Sequence, residues 1–282
     1  MALRSDPFEE DFIVVPGDGL RSWLTREIAR SKGICANLRF LSPERAVWML
    51  INPTDGKDGE IAGNPFSKER LAWKIRGALP SLLASEDEDL RPIREYLTET
   101  EPLKTIQFCW QIATAFDGYL NHRPGLMDGW ARGVSCSNQD ETWQSLVWQA
   151  ICDEFPPTLS KLCNQNSFVS GLPSRLWLFG LSHLPPIHLE VFKAYALKGD
   201  LRYLLLQPSD GYWEDVLSQK NRMKELSKAS ETGREELTEA ALYLDLGPRL
   251  LGGLGKTGQV FIGELGDANP IDSPCAFSEP KG

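Results

Sequence analysis

The sequence predicts an α/β fold in which a parallel sheet is interrupted by an all-helical segment. Two stretches carry this reading. Residues 176–206 run strand, helix, strand within the length of one crossover unit, which demands parallel strands. Residues 65–162 lose every strand signal and show apolar stripes at helical spacing instead.

The elements follow in order. Phe12–Val15 is a short apolar strand, Pro16–Gly19 a turn in which Gly17 and Gly19 supply the bend, and Leu20–Ser31 a helix. Pro53–Gly63 is polar and glycine-rich, hence a loop. Ser67 is placed to cap a helix running through Leu79. Asp87 or Asp89 starts another that runs through Leu97. Between Lys104 and Leu120 the residues Ile106, Phe108, Ile112, Ala113, Phe116 and Leu120 make one helical stripe, and Thr142–Phe155 makes a further helix.

Leu176–Gly180 has the bulk of a buried strand. Ser182 can then cap a helix whose first turn accepts Pro185-Pro186, since a missing N–H costs nothing there. Leu189, Phe192 and Ala196 recur at helical spacing, Gly199 ends the helix, and Leu201–Leu206 is the second strand. Beyond Asp215 a charged stretch to Glu239 reads as a solvated helix, and residues 263–282 as a loose tail.

Composition narrows the function. Apolar residues make up 41 % of the 282, with nine tryptophans, enough to build real cores. No stretch approaches the roughly 18 apolar residues of a membrane span, and the acidic start MALRSDPFEEDF is no secretory signal. The six cysteines have neither Cys-x-x-Cys spacing nor a nearby histidine, so they read as small core hydrophobes in a reducing cytoplasm, with no metal expected. The net charge of −9 argues against a free-standing nucleic-acid binder, because duplex affinity rests on neutralising phosphates. A subunit of a larger assembly could still line a channel locally.

Several motifs invite catalytic readings and fail on context. Gly252–Thr257 ends in Gly-Lys-Thr, but position 250 is Leu where a phosphate loop needs Gly, and Pro248 leaves no room for the preceding strand. Gly180-Leu181-Ser182-His183-Leu184 resembles a nucleophile elbow, yet Leu184 stands where the elbow needs glycine. His183 and His188 are five residues apart, so they do not share a helical face, and His122 lies in a polar turn; all three read as surface or structural residues. No cluster of carboxylates with a lysine suggests a magnesium-dependent nuclease. No cofactor is expected.

The ordered series of short motifs resembles the gamma chain of exodeoxyribonuclease V, the RecC family of the RecBCD helicase–nuclease. The signature is Gly180-Leu181-Ser182, Pro185-Pro186, Gln207-Pro208 and Tyr212-Trp213-Glu214-Asp215. Upstream, Phe12–Val15 with Gly19 and Trp23-Leu24, then Lys32–Asn37 and Pro43–Trp48, fall in the family's order. Phe66, Trp73-Lys74, Leu79-Pro80, Phe116-Asp117, Arg123-Pro124 and Leu146–Trp148 continue it, and the likeness spans about Asp6 to Phe261.

That resemblance implies a helicase-like (RecA-like) α/β core made of residues 1–60 and 166–262, with residues 61–165 as an inserted helical subdomain. It implies a core without ATPase residues, consistent with Pro16–Gly19 lacking a lysine where an active helicase carries its phosphate loop. Family members begin with an extra strand and helix and extend several times further, so the resemblance also implies a truncated front portion. The implied role is a non-catalytic, cytoplasmic subunit of an ATP-dependent exodeoxyribonuclease acting in double-strand-break repair and recombination. Its partners would be single-stranded DNA, the beta-chain helicase–nuclease and the alpha-chain helicase.

By the same resemblance Trp48, Asp117 and Arg123 match DNA-reading positions. A tryptophan can stack a base, an aspartate can accept from a base amino group, and an arginine can hold phosphate or a guanine edge. Other reader positions fall on Pro16, Asp18, Ser22, Ser42, Thr114 and Ala115, where the side chains differ from those of the family. A structural reading stands beside this one: Trp48 as core, and Asp117 with Arg123 as a local ion pair. Two other functions also remain open, a remnant without present function and a hydrolase using Ser182.

Overall fold

The chain alternates strand and helix near both ends of its described part because short β-branched and aromatic runs there are bounded by turn residues. In the computed structural model residues 10–51, 63–97, 102–134, 139–164, 168, 173–205 and 256–266 are described. β1 (Asp11–Val14) leads through α1 (Asp18–Lys32) to β2 (Leu38–Leu41) and then α2 (Pro43–Ile51). β2 lies parallel to β1, with Asp11 opposite Leu38 and Val14 opposite Leu41. Gly33 ends α1 in the left-handed conformation, its N–H donating to the carbonyl of Ala29 at 2.8 Å, a geometry that favours glycine.

The second crossover unit is β3 (Arg175–Phe179), α9 (Pro186–Ala196) and β4 (Asp200–Leu204). Together the strands form a four-stranded, all-parallel sheet in the order β2-β1-β3-β4. Leu176, Trp177 and Leu178 are buried in succession, as expected of a strand covered on both faces. Most of the remaining structure is helical.

Between the crossovers run α3 (Lys68–Ala84), a 3-10 turn (Glu88–Leu90), α4 (Arg91–Tyr96), α5 (Pro102–His122), α6 (Pro124–Ala131), α7 (Gln139–Cys152) and α8 (Leu159–Asn164). Ser67 caps α3 as its sequence suggests, accepting from the Arg70 N–H at 3.4 Å, and Asp87 accepts from the Asp89 N–H at 3.0 Å. α3 does not stop at Leu79. Pro80 forfeits a backbone hydrogen bond, but Leu82 beyond it is buried, and that packing carries the helix on to Ala84.

Two other local expectations are corrected. Ser182 does not cap α9: Pro185 holds the capping position and no side-chain cap bond forms, because the helix begins three residues later than a serine cap requires. Gly17 and Gly19 do not bend the chain through left-handed backbone. Gly17 is fully extended at φ 179°, and Gly19 lies inside α1, so the turn after β1 needs no glycine. Gly199 is required for another reason. A Cβ there would come within 2.6 Å of the Tyr195 ring, whose hydroxyl donates to the Pro173 carbonyl at 2.6 Å.

By contact density the chain divides into two units, Met1–Trp177 with Pro185–Arg202, and Leu178–Leu184 with Tyr203–Gly282. In the second, Phe261 of α10 (Lys256–Gly266) is buried and packs edge-on against Tyr203 at 5.9 Å and His183 at 6.3 Å. The Tyr203 hydroxyl donates to the Leu181 carbonyl, and burial pushes its phenol up. The charged stretch after Asp215 and the tail after residue 266 lie outside the described residues.

In the first unit the core is an aromatic chain. Phe66 stacks on Phe155 at 5.0 Å and lies against Trp48 at 6.0 Å and Trp148 at 6.4 Å. Trp148 meets Phe116 edge-on at 5.5 Å, and its indole N–H donates to the Met127 carbonyl at 3.1 Å. Replacing Trp148 by alanine opens a large cavity at this junction and removes the indole's hydrogen bond to that carbonyl. The Trp148→Ala variant is expected to lose about 3–5 kcal/mol of stability in urea unfolding, against a negligible loss for a solvent-facing tryptophan.

Candidate functional site

Trp48 sits in the middle of α2, and its apolar neighbours Val47, Leu50 and Ile51 are buried with it. The ring is 2 % exposed, lying against Phe66. Phe66 is itself fixed: its N–H donates to Asn64 Oδ1 at 2.7 Å, and Asn64 Nδ2 donates to Glu44 of α2 at 2.5 Å. A base can therefore stack on Trp48 only if Phe66 moves.

Asp117 is near the C-terminal end of α5. Its ion pair is with Lys68 of α3 at 3.4 Å, not with Arg123. Asn121, one turn on, donates to its carboxylate at 3.3 Å and to its backbone carbonyl at 2.9 Å. Arg123 forms the corner between α5 and α6. Its N–H donates to the Tyr119 carbonyl at 2.7 Å, its carbonyl accepts from the Leu126 N–H at 3.0 Å, and the residue is exposed.

The fold brings Trp48 and Asp117 to one small cavity, and leaves Arg123 outside its lining. Asn64, Phe66, Asn121 and His188 complete the wall together with Leu120 and Leu159. The space is about 20 Å³, room for one water molecule and none for a nucleobase. His188 Nδ1 faces no hydrogen-bond partner although the residue is only 6 % exposed. A single water bridging His188 to the amide and carboxylate groups across the cavity would satisfy it.

His188, read from the sequence only as surface or structural, is buried, and its spacing on α9 is the signal that could have shown it. It shares a helical face with Val191, Phe192 and Tyr195, all buried. Its neighbours in the cavity were not legible, because Asn64, Asp117 and Asn121 come from distant parts of the chain. Lys68 likewise meets Asp117 across a long sequence separation that leaves no local pattern.

The catalytic readings find no support in geometry. A nucleophile elbow strains its serine backbone, yet Asn37 is the one non-glycine residue at positive φ among the described residues, and Ser182 lies well before α9. Burial raises the thiols of Cys35, Cys109, Cys152 and Cys163, which makes them poor nucleophiles. Among the described residues no group of three acidic, histidine or cysteine side chains is placed to hold a metal, and no helix is long and apolar enough to cross a membrane. The Gly252–Gly255 run lies outside the described residues.

Comparison with known proteins gives a consistent result. Residues 2–281 match the family model of the RecC N-terminal domain. The RecBCD enzyme subunit RecC of Escherichia coli K12 is 28 % identical over 305 residues, covering 96 % of this chain and 27 % of that protein. Its counterpart in Haemophilus influenzae is 27 % identical, over 75 % of this chain and 22 % of that protein. The Mycolicibacterium smegmatis protein is 26 % identical, over 89 % and 22 % respectively. The chain thus spans about a quarter of the length of these relatives.

Burial, and after it the charge of His122, lowers the His188 pKa from 6.5 to about 4. The folded protein must keep this imidazole neutral, whereas the unfolded chain protonates it near 6.5. Stability from this residue is therefore full above that value and is lost as pH falls toward 4, by a few kcal/mol at the limit. The urea midpoint is expected to fall between pH 7 and pH 5, and a His188→Leu variant to show a flatter profile over the same interval. An unchanged slope in the variant would rule the residue out as the source.

Proposed function

The chain belongs to the RecC N-terminal domain family, and on that premise we propose that it is a non-catalytic, DNA-binding and scaffolding component of an ATP-dependent exodeoxyribonuclease/helicase complex acting in double-strand-break repair and recombination. The match of residues 2–281 to the family model is the observation that carries this reading. In it, the beta-chain helicase–nuclease and the alpha-chain helicase are the partners, and single-stranded DNA is the ligand.

The sheet supports a helicase-like (RecA-like) core with a helical insertion. Two crossover units, β1-α1-β2 and β3-α9-β4, share one parallel sheet, and every helix from α3 to α8 falls between them in sequence. The start of α1 supports a core without ATPase activity. A phosphate loop presents bare N–H groups and a lysine at such a helix start. Here Asp18 occupies the first turn and adds negative charge where phosphate would sit.

Trp48, Asp117 and Arg123 are the proposed DNA contacts carried by the family likeness. Asp117 and Arg123 can meet a strand at the surface; Trp48 can do so only after Phe66 is displaced. Arg123 gives the cleanest test, because its side chain is exposed and its helix-corner role belongs to its backbone. Arg123→Gln is expected to weaken binding to a labelled oligonucleotide and to reduce the slope of log affinity against log salt by about 0.7, the share of one phosphate contact on a single strand. An unchanged slope removes Arg123 from the interface.

The scaffolding claim is tested by co-expression with the beta-chain helicase–nuclease and affinity capture at low salt. Stoichiometric recovery of the two chains is the expected result. Failure to recover the partner overturns the claim, and ATP turnover by the purified chain alone overturns the non-catalytic reading.

A further inference from the structure

Helix α3 carries an exposed tryptophan between two arginines. Trp73 is 72 % exposed, and Arg70 and Arg76 stand one turn before and one turn after it on the same face. Neither arginine is ion-paired among the described residues, whereas the other cations of the helix are engaged: Lys68 with Asp117 and Lys74 with Glu154. Glu69 also lies on this face, but its carboxylate is held low first by its own backbone N–H and then by Ser67, so it serves the start of the helix. Beside the ring, Gly77 leaves open space, since a Cβ there would meet nothing within 4 Å.

Helix α5 adds a second ring. Trp110 is 41 % exposed and lies two turns before Asp117, on the same stripe, and Asp117 reaches α3 through Lys68. α3 and α5 pack against each other, and the charge of Arg76 is felt at the buried Cys109 of α5. Each of these two packed helices thus exposes a tryptophan, and α3 adds two arginines.

We propose that these exposed faces of α3 and α5 form one flank that is a second contact for single-stranded DNA, with Trp73 and Trp110 as stacking platforms and Arg70 and Arg76 as phosphate ligands. It rests on the DNA-binding reading above and adds residues that reading does not use. Charge decides between a nucleic-acid strand and a protein as the occupant. Tryptophan and arginine are enriched at protein interfaces too, but lysine is depleted there, whereas a positively charged face with exposed rings for base stacking is how single strands are bound without sequence preference. α3 bears Lys68, Arg70, Lys74 and Arg76 against Glu69 alone, in a chain whose net charge is −9.

The test uses the full chain and a fluorescein-labelled oligothymidylate in an anisotropy titration. Trp73→Ala and Trp110→Ala are each expected to weaken binding roughly ten-fold, while Trp73→Phe retains most of it. Arg76→Gln is expected to lower the salt slope by about 0.7. All four side chains sit at the surface, so circular dichroism and thermal midpoints should match those of the parent protein. Alanine variants that bind as tightly as the parent overturn this inference and leave the DNA-binding reading intact. A parent protein that binds no oligothymidylate overturns both. Variants that bind DNA normally but no longer capture the beta-chain helicase–nuclease assign the flank to a protein partner and overturn it as well.

Discussion

The position of Phe66 governs the first unit. Its ring reaches Trp48 of α2, Trp148 of α7 and Phe155 just beyond it, so it joins the helix that follows β2 to a helix far along the chain. Burying aromatic rings of this size is the largest source of stabilisation available to such a junction. The polar groups around Phe66 set its position: Glu44 holds Asn64, and Asn64 holds the Phe66 N–H. Through that anchor Asn64 and Phe66, just before α3, are tied to α2.

That packing also decides what the small polar cavity can be. Close-packed interiors leave few voids larger than a water molecule. The space between Trp48, Asp117 and His188 is such a void, closed by the same rings that hold the helices together. A tryptophan used this way serves stability first. Of the polar side chains around it, Asp117 and Asn121 reach solvent near the C-terminal end of α5, whereas His188 stays buried. Packing thus pushes the accessible functional groups outward, to Asp117, to Arg123 and to the exposed faces of α3 and α5.

Much of the architecture is legible in local pattern. The stripe of Phe108, Ile112, Ala113 and Phe116 defines α5, Ser67 marks the start of α3, and the buried run Leu176–Leu178 marks β3. β2 and α2 are less legible: Leu38–Leu41 is four residues long with only Leu41 buried, too short for a period to show. α6 and α8 are short as well, and tertiary contacts define them. Asp128 in α6, for instance, is buried and finds its partner in Thr158, which donates to it at 2.8 Å from just before α8. For the site, a sequence pattern reports which residues lie on a helix but not which distant side chain they will meet. The pairing of Asp117 with Lys68, and the closure of the cavity by His188, depend on how α5 packs against α3 and α9.

The proposed DNA contacts are compatible with an acidic chain once distance is considered. At physiological ionic strength a charge is screened beyond about 8 Å, so a phosphate responds to the few side chains beside it and hardly at all to the sum over the molecule. The relevant quantity is then the local balance of unpaired cations. Along α3 two of the four cations are neutralised by Asp117 and Glu154, which leaves Arg70 and Arg76. These are guanidinium groups, suited to phosphate and able to lie flat on a ring, and they flank the most exposed tryptophan of the described residues. On the proposed reading, the surplus of negative charge elsewhere would repel phosphate from the rest of the surface and leave a single strand the places where rings and arginines coincide.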